Sequence, residues 1–391
     1  MQQAVLTKTF DGKFLTAVSI VVGTSVGAGM LGLPVETARS GFFPSIFLFF
    51  LTWLITIVTG FLFAEVLLSR SRGSNYISLG KSVLGRKFTF LIFGFYILLF
   101  YSLIAAYTKA VGVILSKDLE LMNTPWTGSF CFILAFLPLM SFGTNLIGRV
   151  NGLFMFLLLG SFAALIFMGA KDISWSFLTH QNWSTSLFSL PLVISSFGFH
   201  GTLPSLVDYL DRDRRKIQVA IVVGSTITLA IYVAWEFFIL GTIPLTGEVS
   251  LMSAWMNDQT AITPMSHISG NASIWTLAHI FSLTAIITSF FGVSIGLVDF
   301  LIDAFQCKRN LSTKTILLGA IYLSTLLLSM TELRVFYLSL NYGAGVAGIF
   351  LLIFLPTLLA YKTMGRNRVV PLVFFFCAIA LAGCILSFFT T

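Results

Sequence analysis

Apolar residues run along this chain in long blocks, without the strict alternation of half-buried strands. Eleven blocks approach the about 17–25 residues that a helix needs to cross a bilayer. They lie at roughly 13–35, 43–69, 88–113, 128–143, 150–170, 187–210, 217–242, 272–301, 314–330, 334–361 and 370–389. The polar stretches between them are short, and no soluble domain fits into any. The longest connection, 242–271, has room for a short surface helix.

Two blocks are punctuated. Residues 23–34 read GTSVGAGMLGLP, with Gly23, Gly27, Gly29, Gly32 and Pro34 inside the first span. Residues 187–210 read LFSLPLVISSFGFHGTLPSLVDYL, with Pro191, Gly198, Gly201 and Pro204 inside the sixth. Glycine weakens a helix interior by about 1 kcal/mol and proline by about 3. A broken backbone in lipid exposes N–H and C=O groups at several kcal/mol each, so it must line a cavity or be covered by protein. Interrupted helices at corresponding places in two halves of a membrane protein are the mark of a secondary transporter site. The first stretch also matches G-x-G-x-x-G, at Gly27, Gly29 and Gly32. A dinucleotide reading needs a strand before it and an acid about 20 residues on. The flanks are membrane-like, and no acid lies between Glu36 and Glu65.

Composition agrees with the blocks. Only 10% of the 391 residues are charged and 57% are hydrophobic, against about 25% charged in soluble domains. A net charge of +8 would suggest nucleic acid in a soluble chain. Here its placement explains it without a nucleic-acid partner. Eighteen Lys and Arg fall in even-numbered gaps, including Lys8, Lys13, Arg70, Arg149, Arg212, Arg214, Lys308, Arg309, Arg366 and Arg368. Five (Arg39, Lys109, Lys117, Lys171 and Arg334) fall in odd ones. The positive-inside rule then puts the N-terminus in the cytoplasm and, after eleven spans, Thr391 outside. No cleavable signal is visible. The four cysteines lack metal-ligand spacing and are expected as free thiols.

The two punctuated stretches resemble each other: Gly27-Ala-Gly29-Met-Leu-Gly32-Leu-Pro34 before Glu36, and Gly198-Phe-His200-Gly201-Thr-Leu-Pro204 before Asp208. They are five spans apart, so the copies insert in opposite directions. That predicts one transmembrane domain, with a first inverted repeat at 13–170, a second at 187–361, and an extra span at 370–389.

GTSVGAGMLGLP, SSFGFHGTLPS and FGVSIGLVDFLIDAF (291–305, with Asp299 and Asp303) resemble the hydroxy/aromatic amino acid permeases. These are the bacterial tyrosine and tryptophan transporters of the amino acid–polyamine–organocation superfamily. The resemblance covers essentially the whole chain. It implies an all-α, leucine-transporter-like five-plus-five fold with eleven helices, in the bacterial cytoplasmic membrane. It also implies proton-coupled uptake of a free aromatic L-amino acid, with no obligate protein partner.

An amino acid is a zwitterion, and the two breaks offer both poles. Ala28, Gly29 and Met30 start the second half of span one. Their unpaired N–H groups, with about half a positive charge from the helix dipole, suit a carboxylate. Gly27 and Gly29 allow close approach because they lack Cβ. Carbonyls ending the first half of span six, at Ser195, Ser196 and Gly198, suit an ammonium. Phe197 and Phe199 are placed to stack on an aromatic ring, or to pack in the core. Tyr101, near the middle of span three, is the tyrosine expected nearest the substrate carboxylate; Tyr96 and Tyr107 share that span.

His200 is the candidate proton carrier, or alternatively a neutral imidazole holding broken backbone. Ala285, Thr288 and Ser289 on span eight, with Gly23 and Val26, resemble the sodium pocket of sodium-coupled relatives of this fold. Hard oxygens would suit a small cation, while such hydroxyls more often bridge helices. Span five has no Lys or Arg in place of a cation. The sequence leaves open the alternative of a sodium-coupled symporter of neutral amino acids with the same fold, and the expectation of protons rests on the resemblance; no other cofactor is expected. Glu65, Asp208, Asp299 and Asp303 are gate candidates near the basic clusters. Glu236 and Lys109 lie toward the opposite side. An enzyme is disfavoured, since His180, His200, His267 and His279 are scattered without a catalytic or metal set. A channel is disfavoured too, with no filter or charged ring evident.

Overall fold

The computed structural model describes residues 12–390, apart from 142–143, 269, 309, 332 and 366–368. Lys8, Arg309, Arg366, Arg368 and Thr391 therefore lie outside the described residues, as do the side chain of Arg149 and the end of the fourth predicted span. The described residues are helical, with no strand.

The chain enters as α1 (Gly12–Ser25) and α2 (Gly29–Thr37), two half-helices bent by 50° at residues 26–28. Next come α3 (Phe42–Leu68), α4 (Arg86–Val113, wound on to Asp118), α5 (Pro125–Ser141) and α6 (Thr144–Gly169). The second interrupted span is α7 (Leu190–Ser196) and α8 (Leu203–Tyr209), joined by non-helical Phe197 and Gly198 and a tight turn at Phe199–Thr202. Then follow α9 (Arg214–Thr242), α10 (Ala272–Ala304), α11 (Leu311–Ser329), α12 (Val335–Met364) and α13 (Val369–Thr390). Among the described residues nine helices, or ten with the bent pair counted as one, are long and apolar enough to cross a membrane. The fourth expected span, α5, is a seventeen-residue apolar helix whose expected last residues, 142–143, lie outside the described residues.

Local chemistry sets these boundaries. Pro191 and Pro204 do not break helices; each sits in the first turn of a half-helix, where no N–H partner is needed. Asp213, Asn271 and Asn310 cap α9, α10 and α11 by accepting backbone N–H groups. Pro34, six residues into α2, is a real interruption. Having no N–H, it leaves the Met30 carbonyl without its helical donor.

Packing brings the interrupted elements together. α9 lies against α1, α2 and α3, while α10 lies along α6. α7 packs on α12 through small residues: a Cβ on Gly345 would meet Pro191, and one on Gly348 would lie 3.4 Å from Ser195. In the 242–271 connection, short helices Leu251–Met256 and Ile262–Ile268 are tied down by Asp258. Its carboxylate accepts the N–H groups of Phe336 (3.0 Å) and Tyr337 (3.1 Å), capping α12.

Candidate functional site

Both breaks are real, and they meet. A Cβ on Gly29 would come within 3.2 Å of the Ser196 hydroxyl, and one on Gly27 would overlap Ser289 of α10. Glycine at these positions is a requirement of close approach. The Tyr232 hydroxyl of α9 reaches the carbonyls that end both first halves: Ser25 at 2.6 Å and Ser196 at 2.7 Å.

Each sequence candidate has a definite place. The Ala28 N–H donates to Ser289 Oγ at 3.0 Å, and Met30 N–H turns back to the Gly27 carbonyl at 3.1 Å. Of the three expected donors, Gly29 is the one with no partner among the described contacts. Val26 N–H stays on its own helix, bonded to Val22, and Gly23 has Met155 as its nearest neighbour. The Thr288 hydroxyl bonds the Thr284 and Ala285 carbonyls of its own helix. Ser289 therefore joins the first break, while the Thr288 hydroxyl donates within its own helix and keeps its oxygen lone pairs.

The second break divides. Ser196 faces Gly29, whereas Ser195 backs onto Gly348 and Gly198 onto Leu352, both of α12. Phe197 packs edge-on to Tyr232 at 5.0 Å, beside the first break. Phe199 turns away, stacking on His200 at 4.5 Å and pressing on Gly60 of α3. His200 is fully buried; its Nε2 bonds Thr59 of α3 at 2.9 Å and its Nδ1 has no partner. The tyrosine that span three brings near the break is Tyr107, buried and beside Ser289. Tyr101 is half-buried six residues earlier, about 9 Å along the helix.

A face of α9 of which the sequence singled out only Glu236 holds α2 in place. Tyr232, Trp235 and Glu236 lie at i, i+3 and i+4, so they share one side of the helix. Trp235 Nε1 donates to the Met30 carbonyl at 3.0 Å, filling the place of the donor that Pro34 lacks. The Glu236 carboxyl is hydrogen-bonded to the Thr37 hydroxyl. The signal was three polar-tipped residues at helical spacing in an apolar block.

At the basic end the structure is tied shut. Arg212 Nη2 donates to the carbonyls of Leu67 (2.8 Å), Leu68 (2.9 Å) and Arg70 (2.7 Å), and Nη1 to Asp208 at 3.2 Å. Asp208 also accepts Gly73 N–H at 2.7 Å. Glu65 pairs with Arg214 at 2.5 Å, and Lys13 with Asp211 at 2.7 Å. The Lys13 hydrogen bond and charge lower the Asp211 pKa from its usual value. Of the expected gate acids, Glu65 and Asp208 belong to this network. Asp299 and Asp303 end α10, with Asp299 in electrostatic reach of Tyr96.

At the other end, beyond α2, is a cavity of about 350 Å³ lined in part by Glu36, Arg39, Trp255, Arg334, Tyr337 and Asn341. The guanidiniums of Arg39 and Arg334 lie 4.0 and 3.5 Å from the centre of the Trp255 ring. Trp255 Nε1 donates to Glu36 at 3.2 Å.

Residues 11–389 match the model of the tryptophan/tyrosine permease family. The chain belongs to that family. The permease is 30% identical to the tryptophan-specific transport protein of Haemophilus influenzae, over 91% of this chain and 92% of the relative. It is 27% identical to tyrosine-specific transport system 1 of the same organism (90% and 88% covered). It is 29% identical to the low affinity tryptophan permease of Escherichia coli K12 (88% and 86% covered). The family and these relatives are transport proteins, not enzymes. A mutant of the manganese transporter of Eremococcus coleocola superposes with a TM-score of 0.63 at 13% identity, covering 95% of this chain and 85% of that one. That likeness shows the fold alone, and the permease is a multi-pass, all-helical membrane protein of the leucine-transporter-like type.

Proposed function

We propose that this permease imports tryptophan or tyrosine across the bacterial cytoplasmic membrane by alternating access, coupled to protons. The observation that carries the substrate class is that relatives named for tryptophan and tyrosine transport match it over about nine-tenths of its length. The geometry supports it: two broken helices meet with main-chain poles facing one another, beside Phe197, Tyr232 and Tyr107. The substrate carboxylate goes to the Gly29 end of α2, its ammonium to the Ser196 end of α7, and its ring beside Phe197.

The basic end, tied by Arg212, Glu65 and Arg214, is the closed cytoplasmic gate. The cavity around Glu36 and Trp255 is the outer approach, about 10 Å along α2 from Gly29. Inverted repeats at 13–170 and 187–361 move against one another, with 370–389 as an eleventh, appended span. The N-terminus is cytoplasmic and the C-terminus extracytoplasmic, and one chain in the lipid bilayer acts without an obligate partner.

Thermal unfolding with each of the twenty amino acids, at two pH values and with or without sodium, tests this. A ligand at 100 times its Kd stabilises by about 2.7 kcal/mol. Tryptophan or tyrosine is expected to raise Tm, more strongly at the lower pH and without need of sodium. Stabilisation only by aliphatic amino acids would sink the substrate, and a strict need for sodium would sink the proton.

A further inference from the structure

The proton reading leaves open where the proton sits. His200 is placed to stay neutral. Thr59 is within reach of the Ile55 and Thr56 carbonyls of its own helix, so its single hydrogen goes there and its oxygen accepts from His200 Nε2–H. A second proton, on Nδ1, would put a buried cation where that atom has no partner.

Glu236 has the complementary surroundings. It is fully buried, and its Oε2 has no hydrogen-bond partner. The Thr37 hydroxyl is hydrogen-bonded to the carboxyl, and the Ser45 hydroxyl lies beside it. Each also lies against a carbonyl in its own segment: Thr37 Oγ1 is 2.7 Å from the Leu33 oxygen, and Ser45 Oγ is 2.6 Å from the Gly41 oxygen. A hydroxyl has one hydrogen, and a carbonyl can only accept. With both hydrogens on the carbonyls, only a protonated carboxyl supplies the hydrogen for the Thr37 contact. A carboxylate would draw those hydrogens to itself, leaving the Gly41 carbonyl with the Ser45 N–H at 3.2 Å as its remaining donor.

No charge stands by to stabilise the anion. On elements packed against α9, Lys13 is paired with Asp211, Glu65 with Arg214, and Glu36 turns to Trp255. Lys171 and Asp172, after α6, are exposed. Tyr232, one turn away on α9, is bound to the two break carbonyls. Among the described residues no charged group interacts with the Glu236 carboxyl.

We infer that Glu236 is the binding site of the coupling proton, and that its protonation sets the joint between α2 and α3 through Thr37 and Ser45. This rests on the proton-symport reading above. With Glu236 protonated, Thr37 stays on the Leu33 carbonyl and Ser45 on the Gly41 carbonyl, and α2 is seated as seen. Loss of the proton turns both hydroxyls to the carboxylate and loosens α2 where it meets the outer cavity. The event is a proton transfer only; the Glu236 O–H bond forms on loading and breaks on release to water.

The permease in lipid vesicles, with E236Q beside the wild type, tests this. Infrared spectra at neutral pH are expected to show the C=O stretch of a protonated carboxylic acid in the wild type that is lost in E236Q. A one-unit pH gradient driving one proton per substrate gives about tenfold accumulation of labelled tryptophan or tyrosine. E236Q is expected to give none, while still exchanging labelled for unlabelled substrate. Accumulation by E236Q equal to wild type, or no lost infrared band, overturns the inference. If E236Q does not fold, E236D must keep both band and accumulation. A wild type that neither binds nor exchanges either amino acid defeats the substrate reading alone, because the infrared band still reports on Glu236. Uptake of either amino acid that follows sodium and ignores pH defeats the proton-symport reading and this inference, and leaves the substrate reading standing.

Discussion

At the scale of single residues, the site is an account of which donors and acceptors find partners. Pro34 deprives Met30 of a donor, and Trp235 supplies one. That pairing makes a specific prediction. Trp235→Phe should lower stability in detergent by about 1–3 kcal/mol, by leaving a buried carbonyl unmet. In a Pro34→Ala background, where the backbone N–H returns, the same change should cost about 1 kcal/mol less. A thermal-unfolding double-mutant cycle measures the difference; full additivity would show that Trp235 does not serve that carbonyl. These details were the least legible in the chain. The pattern of Gly and Pro named both breaks, but adjacent serines cannot say which will face inward. Ser196 faces Gly29 and Ser195 faces α12 because consecutive positions in the last turn of α7 point about 100° apart. The same local winding sends His200 to Thr59.

At the scale of elements, the two ends of the bundle differ in how they are held. One arginine caps the end of α3 and binds Asp208 at the end of α8, from a turn in which Asp211 and Arg212 both take left-handed backbone (φ 53° and 62°). Left-handed conformations in non-glycine residues cost about 1–3 kcal/mol and persist only when their surroundings enforce them. Arg212→Ala removes that enforcement. Charge-assisted hydrogen bonds contribute about 1.5–3 kcal/mol, so the gate equilibrium should shift about tenfold or more toward opening at this end. A cysteine placed by Ser25→Cys should then react about tenfold faster with a maleimide supplied from the basic side; an unchanged rate would remove Arg212 from the gate. The spans were legible because a bilayer admits only long apolar helices. The seventeen-residue α5 sits at the short end of the spanning range, and its exposed Trp126, Phe130 and Leu134 suit a lipid-facing side.

At the scale of the whole molecule, the distribution of basic residues gives the permease a direction. Cys307, exposed after α10, is on the side assigned to the cytoplasm, while Cys377 and Cys384 are buried. An impermeant thiol reagent should label Cys307 in inverted membrane vesicles and not in intact cells; labelling from outside would reverse the topology. The all-helical membrane fold was legible at this scale because long apolar blocks with few charges can satisfy their backbone in lipid only as helices. What ties the two breaks together was not, because a Tyr in an apolar block does not announce two carbonyls on separate helices.

Tyr232 has one hydrogen to offer, and two main-chain oxygens stand close enough to take it. These two oxygens are therefore short of one hydrogen. A protonated amine brings three, so it would supply the oxygen that the tyrosine leaves wanting, where a carboxylate or an ether could not. On the proposed function, selection for an ammonium would then need no acidic side chain at this point.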